Sequence, residues 1–87
     1  MSNAQKILIA GPVSVQMDRE LQFLRSQGMV VDIVEEPFMA LCRLANPDHG
    51  YTSVFYNGKA HKPAIAADMI RSREMEAMLP PLFQAAA

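Results

Sequence analysis

This chain has no tryptophan, a single cysteine and no surplus of positive charge. Each shortage closes off a class of function. With only Cys42, an internal disulfide is excluded and a reducing compartment is expected. Eight Lys and Arg against nine Asp and Glu leave a net charge of −1. No electrostatic attraction to nucleic acid or an anionic membrane follows from that balance, so neither is expected as a partner. No apolar run approaches the ~20 residues that span a bilayer, and no charged leader precedes a hydrophobic stretch, so a cytoplasmic location is expected. Cys42, His49 and His61 are the only thiol and imidazole groups. Their spacing matches no compact zinc pattern, so no metal site is expected. The reading places Cys42 on a buried helix face and both histidines on the surface. Glycine is also scarce. After Gly11, a dinucleotide fingerprint needs two further glycines, and those places hold Val13 and Gln16. No cofactor is expected.

What the chain does have is apolar residues, 51% of 87. A domain this small buries only about two-thirds of the surface its unfolded chain exposes, which makes self-association an outlet for the excess. The apolar residues fall into three strand-like runs: Lys6-Ile7-Leu8-Ile9-Ala10, Met29-Val30-Val31-Asp32-Ile33-Val34 and Tyr51-Thr52-Ser53-Val54-Phe55-Tyr56. Between the first two, Met17, Leu21 and Leu24 form one stripe of an amphipathic helix, with Ser14 as N-cap and Gly28 as stop. Glu36-Pro37 opens a second helix carrying Phe38, Leu41, Cys42 and Ala45 at helical spacing, and Asn46-Pro47 closes it. Asn57-Gly58 ends the third strand, and no alternating strand follows it. A third helix is predicted from about residue 64 to residue 79, with Ile65, Met69 and Ile70 on one side and Pro80-Pro81 as its stop.

Strands alternating with helices predict an α/β fold, a small three-layer βαβαβα unit on a three-stranded parallel sheet of order 2-1-3. One domain over residues 5–80 is expected, with flexible ends at 1–4 and 81–87. So short a sheet leaves the outer edge of its third strand uncovered, and a second copy is expected to complete it.

The first sixty or so residues resemble the opening half of a response-regulator receiver domain. The likeness rests on the Gly11-Pro12 turn after the first strand, the Leu21/Leu24 helix, Gly28 before the second strand, the Ala40-Leu41 pair, and Tyr51 to Asn57. In that family an aspartate ending the third strand accepts a phosphoryl group, and acids ending the first strand hold Mg²⁺. Here those places carry Asn57, and Gly11 with Pro12. An amide is a poor nucleophile, and magnesium wants carboxylate oxygens, so the resemblance implies a degenerate module without phosphotransfer.

The expected function is therefore a non-enzymatic protein-interaction or signalling module that homodimerises or docks on another protein. Its expected contact surface comprises Tyr51, Val54 and Phe55 at the third strand, and Met69, Met75, Met78 and Leu79 on the last helix. Methionine side chains suit adaptable contact surfaces. A different class stays open beside it: a nucleotide- or anion-binding protein using the Gly11–Ser14 loop, with Val13 and Ser14 at the helix N-terminus.

Overall fold

Alternation along the first strand, β1 (Lys6–Ala10), sorts its side chains onto two faces and so defines two cores. Leu8 and Ala10 join one cluster, while Ile7 and Ile9 join the other. The computed structural model describes residues 5–78. Leu79 and the ends expected to be flexible lie outside that range, and so does the expected stop at Pro80-Pro81.

β1 pairs in parallel with β2 (Val30–Val34) on one side and β3 (Ser53–Tyr56) on the other. The register sets Leu8 opposite Asp32 and Val54. Helix α1 (Val15–Ser26) crosses over between β1 and β2, its N-terminus closed by Ser14, whose side chain accepts from the Met17 amide at 3.1 Å. The chain turns back at Gly28, whose φ of 91° suits a residue without Cβ. Leu21 of α1 packs on Ile9 and Val31, with Met17 and Leu24 beside it. Helix α2 (Pro37–Leu44) and helix α3 (Pro63–Met78) cover the opposite face. There Ala40, Ala66 and Ile70 meet Leu8, Val34, Val54 and Tyr56. Leu8, Val54 and Ile70 are the largest fully buried side chains.

The expected α/β class and three layers hold, and the sheet differs. It has four strands in the order β2-β1-β3-β4 and is mixed, because β4 (Lys59–His61) runs antiparallel to β3. Tyr56 pairs with Lys59, so Asn57-Gly58 is a two-residue hairpin loop. Both loop residues have positive φ, 55° and 85°, as the tight turn matching strand twist requires. The edge of β3 expected to recruit a second copy is therefore occupied by the chain's own next segment.

Helix α2 is also rotated from the expected stripe. Ala40 is buried and Leu41 and Leu44 are half-buried, while Phe38, Cys42 and Ala45 are exposed. Cys42 is thus a surface thiol, correcting its expected place in the core. In α3, Ile70 and Met69 face the sheet as expected, but Ile65 is exposed.

Candidate functional site

In an open sheet wound from β1 toward both sides, ligands bind in the crevice outside the carboxyl ends of the strands where the winding reverses. Here that point lies between β1 and β3. A cavity of about 240 Å³ opens there, lined by Ile9, Ala10, Gly11, Pro12, Met17, Phe55, Asn57 and Gly58. The residues singled out as occupying reactive corners, Gly11, Pro12 and Asn57, do converge on one crevice. Its lining contains no acid, base or nucleophile. The asparagine also has a local cause, since it supplies the first left-handed residue of the β3–β4 turn.

Val13 and Ser14 open α1 beside this crevice. The Gly11 amide donates to the Val34 carbonyl at 2.8 Å, and the Ser14 hydroxyl is taken by the Met17 amide. Glu35 and Glu36 share a shallow depression with Pro12 and Val13, so negative charge borders the helix N-terminus. Among the described residues, no group of three or more His, Cys, Asp or Glu side chains could hold a metal ion.

The expected contact residues separate. Val54 is fully buried, turned inward by alternation along β3, and Tyr51, just before the strand, is buried against the same core, so both are removed from the contact surface. Met69 is half-buried against the same core, and Met75 is exposed. The Met78 side chain and Leu79 lie outside the described residues. Phe55 takes the other face, where it lines an apolar groove with Ile7, Ile9, Met17, Leu21 and Leu24 of about 170 Å³. The groove exists because one helix, α1, serves a face of four strands, whereas two helices serve the opposite face.

The densest polar arrangement lies at the other end of the sheet, and sequence reading did not assemble it. Tyr51 precedes β3, and its hydroxyl donates to Asp32 Oδ2 at 2.6 Å. Arg43, in the last turn of α2, donates Nη1 to the same hydroxyl at 3.3 Å and lies 3.7 Å from Asp32 Oδ2. Burial, followed by the hydrogen bond to Asp32, raises the Tyr51 pKa above its ordinary 10.0. Lys6 Nζ donates to the His49 carbonyl at 2.8 Å and sits 4.6 Å from the centroid of the Tyr51 ring, a cation–π contact. The His49 ring stacks on Tyr51 with centroids 5.6 Å apart, and its Nδ1 accepts from the Tyr51 amide at 2.9 Å. One clue was in view: Asp32 is the lone acid in a strand otherwise built of valine and isoleucine, and an acid set among apolar neighbours needs a partner.

No helix among the described residues is long and apolar enough to cross a membrane. Comparison with protein-family models, with curated proteins and with solved structures finds no match for this chain.

Proposed function

We propose that this chain is a small, non-enzymatic interaction module, receiver-like in its order of strands and helices, that associates with a second copy of itself. The observation that supports it best is the switch-point crevice, whose lining carries Gly11, Pro12 and Asn57 where phosphotransfer would need carboxylates. The anion-binding alternative at the Gly11–Ser14 loop is weaker. Its Gly11 amide is already engaged with the Val34 carbonyl, and Glu35 and Glu36 stand nearby.

The contact surface moves from the β3 edge to the α1 face. The groove beside α1 is apolar, and Glu20 of α1 forms part of its wall. Phe23, three residues further along the helix, is 64% exposed, so a large apolar knob stands beside an apolar slot on one element. A two-fold axis would let each copy seat its Phe23 in the other's groove, the self-complementary arrangement of an isologous dimer.

Light scattering across a concentration series tests the association. A dimer for the native chain and a monomer for Phe23→Asp are expected, and a strict monomer at high concentration defeats the dimer reading. Incubation with acetyl phosphate and Mg²⁺, followed by intact-mass measurement, tests the chemistry. A stable phosphoryl adduct would overturn the non-enzymatic reading.

A further inference from the structure

The geometry points to a ligand site far from the switch-point crevice and independent of the self-association just described: we propose that the pocket around Tyr51 binds a small oxyanion, a carboxylate or phosphate group. Its walls are Lys6, Asp32, Cys42, Arg43, Asn46, His49 and Tyr51, around an open cleft of about 320 Å³. That volume suits a small ligand.

The argument comes from the hydrogen-bonding capacity left over once the internal bonds are made. Lys6 spends one N–H on the His49 carbonyl, and its ammonium has three. Arg43 spends Nη1 on the Tyr51 hydroxyl, leaving the rest of a five-donor fork on a side chain that is 49% exposed. Asn46 Oδ1 accepts from the Asp48 amide at 3.0 Å, which assigns the amide orientation and leaves the side-chain NH₂. His49 Nδ1 accepts from the Tyr51 amide, so the proton of the neutral ring resides on Nε2, a donor. Four residues thus retain donors around one cavity, and two of them are cations.

The opposing charge is Asp32. Its Oδ2 already holds the Tyr51 hydroxyl and faces Arg43, leaving Oδ1 as the pocket's remaining carboxylate acceptor. Lys6 and Arg43 outnumber the one acid. A bound cation would face both Lys6 and Arg43, whereas an oxyanion would meet charge-assisted donors. The Tyr51 ring contacts both the Lys6 ammonium and the His49 imidazole, which ties two of the four donors to one side chain before any ligand arrives.

Inorganic phosphate and succinate serve as the two probes, titrated calorimetrically against the full chain with sodium chloride at matched ionic strength as control. Saturable binding of one or both is expected, and the preferred probe distinguishes phosphate from carboxylate recognition. Cys42 lines the pocket and supplies a second reading: the bound anion should slow its alkylation by iodoacetamide. Arg43→Met and Lys6→Met each remove a charged donor while keeping an apolar stem, and each should weaken binding by about tenfold to a hundredfold. Arg71→Met, on α3 and outside this pocket, should leave affinity unchanged. Failure of both anions to saturate the native chain by roughly 10 mM overturns the proposal. So does an equal loss of affinity in Arg71→Met, which would mean diffuse charge attraction rather than a site.

Discussion

Replacing Tyr51 by phenylalanine deletes one oxygen and keeps the ring that Lys6 and His49 hold. The lost atom donates to Asp32 Oδ2 at 2.6 Å and accepts from Arg43 at 3.3 Å. A hydrogen bond to a charged group contributes about 1.5–3 kcal/mol net. The Asp32 side chain is 34% exposed, so water replaces part of the lost bond and the lower end applies, about 1.5 kcal/mol. For a chain of this size that corresponds to a fall in Tm of about 6–12 °C. Thermal unfolding followed by circular dichroism measures it, and a double-mutant cycle with Asp32→Ala isolates the pair. The direction with pH is set as well. The folded-state pKa of Tyr51 is raised, so the folded chain holds this proton more tightly than the unfolded chain does. The stabilisation is complete below the ordinary value near 10 and fades as pH climbs through and beyond it. The gap between native chain and Tyr51→Phe should therefore shrink in alkali. A Tm fall below about 2 °C, or a coupling energy below about 0.3 kcal/mol, would refute the reasoning.

Two further substitutions test the frame. Ile70 is fully buried where α3 meets the sheet, and Ile70→Ala should cost about 2–5 kcal/mol in urea unfolding, depending on how far the cavity collapses. Gly58 has φ of 85° with open space where a Cβ would project, so Gly58→Ala carries backbone strain alone, about 1–2 kcal/mol, read from the same urea midpoint.

The parts legible in sequence are those whose signals are local. The valine-rich β2, the Ser14 cap and the Gly28 stop each announce themselves within a few residues, and the order of the three parallel strands follows from helical crossovers. β4 hides because three residues, Lys59-Ala60-His61, are too few to show alternation. The Asn57-Gly58 turn was visible, yet its partner strand lacks an apolar pattern. Helix α2 reads almost wholly apolar, Pro-Phe-Met-Ala-Leu-Cys-Arg-Leu, so periodicity offers little contrast to decide which stripe faces inward. Cys42 was misplaced for that reason. The Tyr51 pocket needed tertiary structure outright: Asp32 and Tyr51 are 19 positions apart, and Lys6 and the His49 carbonyl are 43 apart. Proximity of that kind is written in the fold's winding.

The short strand β4 also governs what this sheet can polymerise into. Open-ended growth of stacked chains requires each copy to present two receptive margins. One margin here is plugged by three residues, including Lys59, too short and too charged to template a neighbour. At the other side β2, five residues long, has no further strand beside it among the described residues. Strand-to-strand joining through β2 would stop at a pair, because neither partner could offer a second long margin to a third. The two-residue turn and three-residue strand thus close one margin of the sheet to strand-by-strand growth while leaving pairing through the other open.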